Sequence, residues 1–445
     1  SGSPYVVTGS VLVSEGVKLT VEAGVEVKFD SGKSLQVFGE LVAQGTSSSG
    51  ITFTSTQDSK AAGDWGQILF YDSSVDASYD GNGDYASGSI LEYCTVEYGS
   101  GIQLKLSTPF INQSTIRYHS DSGIGMTYDY LVSAAVLKIT NNTIGNNTNS
   151  DAGGGIQIYW YGVNAAVISG NTISNNIGQS GGGIKADGNV IISDNTIENN
   201  KTGRYESYDG SFRLEGEGGG VSSGSSGIQI LNNVIRGNQA REGGGIYGSA
   251  TITGNTIMNN SGWGVYCRGS SMTLSNNFIL NNPTGGVYSN EVNPVTITSN
   301  VIAGNGGTAI KIDTRDNGDS NISNNTIFNN TGSSVIDHYC MTDVAVEFKN
   351  NTIVGNNVTG DYAVQLRTHP SYDNSNILFN DNNIYDNGAT YELSNQSALG
   401  TGSLNAENNY WGTSDASVIA AKIHDWNDDS SYEFVDYTPH ETALI

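Results

Sequence analysis

Asn255-Thr256-Ile257-Met258-Asn259-Asn260 opens a stretch that closes, at residues 277–282, on Asn277-Phe278-Ile279-Leu280-Asn281-Asn282. The two isoleucines stand 22 residues apart (279 − 257), and between them short Val, Tyr, Met and Leu runs are broken by Gly, Ser and Asn. Short β-rich runs punctuated by turn residues predict strands. Outward in both directions, the phrase Asn-x-Ile-x-x-Asn recurs from Asn142, Asn171, Asn195, Asn233, Asn300, Asn325 and Asn351, and in a looser form from Asn382. A repeat of this length is one coil of a solenoid, stacked on its neighbours. About 22 residues hold three short strands and three turns at roughly 3.3 Å per strand residue. The expected fold is all-β, a single-stranded parallel β-helix whose coils hydrogen-bond to one another about 4.8 Å apart. Ile144, Ile173, Ile197, Ile235, Ile257, Ile279, Ile302, Ile327, Ile353 and Ile384 would stack as one inward ladder. The Asn two residues before each Ile would form a second ladder, since Asn tolerates the left-handed backbone of a sharp turn and stacked amides can bond one another.

The chain has 445 residues, a length that alone would suggest several globular domains. A solenoid absorbs that length in one elongated unit, because each coil contacts only its neighbours. A formal net charge of −25 argues against nucleic acid or an anionic membrane surface as a direct partner. No apolar run is long enough to insert in a membrane. Cys94, Cys267 and Cys340 are odd in number and far apart, which reads as buried free thiols, with a disulfide as the lesser alternative. The start at Ser1-Gly2-Ser3, without a leader-like segment, suggests a trimmed mature chain.

These repeats resemble the right-handed parallel β-helix superfamily of pectate-lyase-like proteins, in particular its Asn-rich branch of secreted and surface carbohydrate-associated proteins. The resemblance covers nearly the whole chain. It implies the right-handed winding, a secreted or cell-surface location and a polysaccharide partner. The matching residues are scaffold residues, so it implies a fold rather than one activity.

Three segments follow: an N-terminal cap and first coils over 1–70, β-helix repeats over 71–405, and a C-terminal cap over 406–445. Both ends of a solenoid expose strand edges and need caps. Ala416–Asp425 is the best helix candidate, with Tyr410, Trp411, Trp426, Phe434 and Tyr437 covering the last coil. The spacing from Ile197 to Ile235 is 38 residues (235 − 197), about 15 more than elsewhere, and smaller surpluses fall at 119–132, 148–163 and 357–376. Such insertions cluster on one face of a solenoid, often where ligands bind.

Glycine-rich turns precede strands that begin at Ile156, Ile184, Val221, Ile246, Val265, Val287 and Ile310. If those residues point inward, the next point out: Gln157, Lys185, Ser222, Tyr247, Tyr266, Tyr288 and Lys311. Two residues on, a parallel stripe includes Tyr159, Asp187, Arg268, Asn290 and Asp313. Three tyrosines on consecutive coils would make a platform for sugar C–H faces, or an aromatic ladder that stabilises an exposed sheet. Tyr159, Trp160, Asp187, Arg241, Tyr247, Tyr266, Arg268, Tyr288 and Lys311 are the expected substrate contacts. The 200–217 insertion brings Arg204, Tyr205, Arg213, Glu215 and Glu217 beside Lys185. Lyases of the superfamily need a base beside a uronate and a cation to neutralise it, which makes Lys185, Arg204, Tyr205 and Arg213 catalytic candidates. A glycosidase would need paired carboxylates, for which Asp313 and Asp337 on adjacent coils are the candidates. Asp76, Asp80, Asn82 and Asp84 offer oxygens at alternate positions in a glycine-rich loop that would suit Ca²⁺; Asp313, Asp316, Asn317 and Asp319 form a second such loop. Three functions fit these residues: a glycan-binding surface protein, a polysaccharide lyase or glycoside hydrolase, and a structural spacer.

Overall fold

Val, Ile and Thr dominate the runs, and alternation along each run sends one set of side chains inward and the other to water. In the computed structural model, which describes residues 2–126, 135–206, 212–214, 216–269, 271–291, 294–315, 318–342, 344–372, 376–397 and 403–445, these runs are parallel strands of a β-solenoid of about 15 turns. The chain divides into two compact units, Ser1–Arg241 and Glu242–Ile445. Within each unit a complete coil gives one strand to each of three sheets. In the first unit Thr172–Ser174, Ile184–Gly188 and Val190–Ser193 belong to three different sheets, and Phe278–Leu280, Gly285–Asn290 and Val295–Thr298 do the same in the second.

The isoleucine ladder forms as expected. Ile144, Ile173, Ile197 and Ile235 pair in register in the first unit, and Ile257, Ile279, Ile302, Ile327, Ile353 and Ile384 in the second. All are fully buried. Two asparagine ladders flank them, not one. Asn171 donates from Nδ2 and from its backbone N–H to Asn195 Oδ1 (3.0 and 2.9 Å) and from Nδ2 to the Ile139 carbonyl (2.9 Å). Asn176 repeats the pattern toward Asn200 Oδ1 and the Ile144 carbonyl. These ladder amides thereby find donors and acceptors, the condition for burying them without loss.

The left-handed backbone falls elsewhere than expected. Asn141, Asn146, Asn175 and Asn199, each immediately before a ladder Asn, carry φ between 55° and 57°. The first Asn of each doublet turns the chain and the second enters the core to bond.

At the C-terminal end the helix spans only Ala416–Ala420, shorter than the sequence suggested. Asp415 caps it, accepting from the Ser417 and Val418 amides, and Ile419 is its buried residue. The chain must then supply Ile423–His424 as a strand in register with Leu393 and Ser394, and sheet hydrogen bonds win over the longer helix. Trp411, Ile419, Ile423 and Val435 cover the last coil. Trp426 and Phe434, expected there, meet each other in a tilted pair at 4.8 Å and stay 41% and 46% exposed. Cys94, Cys267 and Cys340 are buried thiols outside any disulfide, and burial pushes the Cys94 thiol up to about 12 and that of Cys267 to about 11.

Candidate functional site

In the second unit the strands after the glycine turns carry one continuous outward row. Tyr247, Tyr266, Tyr288, Lys311, Asp337 and Gln365 stand in register on successive coils. Two residues further along, Arg268, Asn290, Asp313, Tyr339 and Arg367 form a second row. Both rows follow from the inward placement of Val265, Val287, Ile310 and Ile336.

The rows are bonded to each other. The Tyr247 and Tyr266 rings stack at 5.5 Å, and Tyr288 meets Tyr266 edge-on at 4.9 Å. Trp263 lies 5.2 Å from Tyr288. Asn290 Nδ2 donates to Tyr266 Oη (2.9 Å), Tyr288 Oη donates to Asp313 Oδ2 (2.7 Å), and Lys311 Nζ sits 4.7 Å over the Tyr288 ring. Burial first, then the bond to Asp313, raises the Tyr288 phenol and keeps it a donor at neutral pH. Tyr266 is only 7% exposed, whereas Tyr247 and Tyr288 are half-buried and Arg268 is exposed.

Asp313 and Asp337 do not align. Asp337 pairs in register with Lys311, and Asp313 with Tyr339, so the two carboxylates are diagonal neighbours. Arg367 Nη2 holds Asp337 Oδ1 at 2.5 Å. Tyr339 and Arg367 join the second row beyond the expected residues, and strand alternation leads to them once Ile336 and Val364 are placed inward. His338 points inward and is fully buried.

In the first unit the corresponding row is Gln103, Gly125, Gln157, Lys185 and Ser222, with Tyr159 beside Asp187 in the second row. Tyr161 Oη donates to Asp187 Oδ2 at 2.9 Å. Trp160 falls on the inward phase of the strand, fully buried, with its indole N–H on the Asn164 carbonyl (2.6 Å), so it does not belong to the exposed stripe. Arg241 is exposed at the end of this unit. Backbone pairing sets Arg204 opposite Leu214 and Tyr205 opposite Arg213 in an antiparallel ribbon. Their side chains, and Glu215, lie outside the described residues.

A polar pocket of about 260 Å³ lies on this face, lined by Gln103, Asp121, Ser122, Asn149 and Gln157 among others. Asn149 Nδ2 bridges Asp121 Oδ1 (2.5 Å) and Ser122 Oγ (2.9 Å). Gln157 is the member of the outward stripe that lines it, and the surplus residues at 119–132 and 148–163 supply most of the others.

In the acidic loop two of the carboxylates already accept backbone hydrogen bonds. Asp76 Oδ1 accepts from the Thr108 amide (2.7 Å), while Asp80 Oδ1 accepts from the amides of Asn82 and Asp84 (2.9 and 3.0 Å). Lys138 Nζ donates to the Gly83 carbonyl beside them (2.6 Å). Among the described residues no group of three or more His, Cys, Asp or Glu side chains is placed to hold a metal. Asp316 and Asn317 of the second acidic loop lie outside the described residues.

The family model described as "Right handed beta helix region" matches residues 80–250 and 219–377, and that of a "Pectate-lyase like beta helix domain" matches residues 1–108. The chain belongs to the right-handed β-helix family. Among solved structures, a mutant of the periplasmic alginate epimerase AlgG shares 12% identity with this β-helix at TM-score 0.36, over 81% of this chain and 84% of the other. The lacto-N-biosidase of Eubacterium ramulus shares 12% identity at TM-score 0.29, over 76% of this chain and 63% of the other. No curated protein matches the sequence. Among the described residues, no helix of this β-helix protein is long and apolar enough to cross a membrane.

Proposed function

We propose that this β-helix is a secreted or cell-surface protein that binds a polysaccharide along the Tyr/Lys face of its second unit. One observation carries the reading: Tyr247, Tyr266, Tyr288 and Lys311 occupy one register row, beside a row of Arg268, Asn290 and Asp313. Aromatic faces take sugar C–H groups, and amide, carboxylate and guanidinium groups at the same height take hydroxyls or acidic substituents. Coils about 4.8 Å apart repeat these groups along the axis, which suits a polymeric ligand. The test is affinity electrophoresis against neutral and acidic polysaccharides, using wild type and Tyr247→Ala/Tyr288→Ala. Retardation by one glycan class that the double variant loses supports the reading. Equal retardation of both proteins removes this face from the function, and no retardation in any gel leaves a structural spacer.

A second reading, hydrolysis in the same place, rests on the diagonal placement of Asp313 and Asp337. With strands about 4.8 Å apart and two residues of about 3.3 Å between the rows, such diagonal neighbours on parallel strands stand roughly 8 Å apart, within the roughly 6.5–9.5 Å between the carboxyl groups of inverting glycosidases. New reducing ends that disappear in both Asp313→Asn and Asp337→Asn would establish it. Unsaturated uronates among the products would instead indicate a lyase and bring Lys185 and Arg204 forward.

A further inference from the structure

A different corner, wholly within the first unit, gathers cations that the acidic chain otherwise spreads thinly. Glu97 follows Val96 on the strand Cys94–Glu97, and its nearly buried carboxylate is fully engaged. Arg117 bonds its Oε2 through Nε (3.0 Å) and Nη2 (2.8 Å), and Thr54 Oγ1 donates to its Oε1 (3.0 Å). Lys60 Nζ stands 3.9 Å from the same Oε1 and donates to Thr54 Oγ1 at 2.9 Å. Two cations thus converge on one carboxylate, leaving a formal excess of one positive charge. Their side chains remain accessible, Lys60 at 30% and Arg117 at 43%.

An aromatic ledge adjoins them. The Tyr98 and Tyr118 rings stack at 5.2 Å and 11° on consecutive coils, with Lys60 Nζ 5.7 Å from the first ring and the Arg117 guanidinium 5.3 Å from the second. Both tyrosines are half-buried and both hold a left-handed backbone, with φ of 64° and 58°. The next coils put Asn146, Asn175 and Asn199 at the same corner, directly after Gly145, Ser174 and Glu198 of the register that contains Glu97 and Arg117. A bulky ring in that conformation is strained where Asn is not, and strain of this kind concentrates at functional positions.

We propose that this corner is a second saccharide site, selective for a uronic-acid residue whose carboxylate meets Lys60 and the free Nη1 edge of Arg117 while its ring lies on Tyr98 and Tyr118. A planar carboxylate matches guanidinium geometry, and the stacked pair offers a flat apolar surface beside it. The site is separate from the Tyr/Lys face and does not depend on that face binding anything.

Calorimetry with trigalacturonate, its methyl ester and dextran sulfate tests it on the full chain. Wild type is expected to bind trigalacturonate at least tenfold more tightly than the methyl ester or the sulfated polymer. Tyr98→Asn/Tyr118→Asn adopts the residue used by the following coils, so it folds with an unchanged or higher Tm and loses at least tenfold in affinity. Lys60→Gln loses the preference for acid over ester, and Tyr247→Ala/Tyr288→Ala keeps trigalacturonate binding at this corner. Equal affinity for acid and ester, tighter binding of dextran sulfate, or full affinity in Tyr98→Asn/Tyr118→Asn would each overturn the proposal.

Discussion

Asn387 Nδ2 donates to Glu392 Oε2 at 2.7 Å, and Asn387 N–H points to Glu392 Oε1 at 3.4 Å. This buried carboxylate takes the place of the next asparagine and ends the second amide ladder, whose preceding member, Asn356, donates to Asn387 Oδ1 at 2.7 Å. A ladder of forward-pointing donors needs a terminal acceptor, and Glu392 is it. Glu392→Ala should cost about 1–3 kcal/mol in urea unfolding, the loss expected when a buried donor keeps no partner. Glu392→Gln, which retains an acceptor oxygen, should recover most of that; equal losses would mean that volume rather than the bond matters.

The asparagine doublets should respond asymmetrically. Asn199 turns the chain at φ 55°, while Asn200, fully buried, bonds Asn238 Oδ1 and the Ile173 carbonyl. Asn199→Gly should stay within about 0.5 kcal/mol of wild type, because glycine adopts this conformation freely. Asn200→Ala should lose about 1–3 kcal/mol, and Asn199→Val about 1–2 kcal/mol for forcing a branched side chain left-handed. Thermal unfolding of the three variants checks the order.

Buried histidines should make the protein acid-sensitive. Burial lowers His119 to about 4 and His338, with a smaller push from Arg367, to about 3, both from an ordinary 6.5. Above that ordinary value both states hold neutral imidazoles and these residues contribute no pH dependence. Between pH 6.5 and about 4 the unfolded chain binds protons that the folded chain refuses, so stability falls as pH falls, by up to about 1.4 kcal/mol per unit for each residue. His338 lies among Ile312 and Leu366 with its Nδ1 unbonded. His338→Leu should therefore flatten the decline by roughly that slope between pH 6 and 4.5, in urea unfolding at each pH. An unchanged slope would place the acid sensitivity elsewhere.

On the Tyr/Lys face, affinity and stability should separate by residue. Arg268 is exposed, so Arg268→Ala should leave Tm unchanged and weaken glycan binding by about tenfold, roughly 1.4 kcal/mol. Tyr266 is buried between two rings, and Tyr266→Ala should cost about 3 kcal/mol of stability whatever it does to binding. Tyr266→Phe spares the packing and removes only the acceptor for Asn290, which makes it the informative variant at that position.

The recurring Asn-x-Ile-x-x-Asn phrase determined the coil, the inward isoleucines, and through strand alternation the rows that carry Tyr247, Tyr266, Tyr288 and Lys311. Periodicity suffices for these because a coil can bury its apolar face in only one phase, and an identical neighbour repeats the choice. Tertiary structure alone decided whatever depends on counting across irregular turns or on bonds between coils. The register that sets Asp337 beside Lys311 rather than Asp313 came from the inward choice of Ile336 after a turn of unpredictable length. The Glu392 terminus, the engaged oxygens of Asp76 and Asp80, and the meeting of Lys60 with Arg117 join residues whose sequence separation carries no signal. Such contacts depend on where the backbone carries each side chain, and hydrogen-bond satisfaction in the folded chain settles that position.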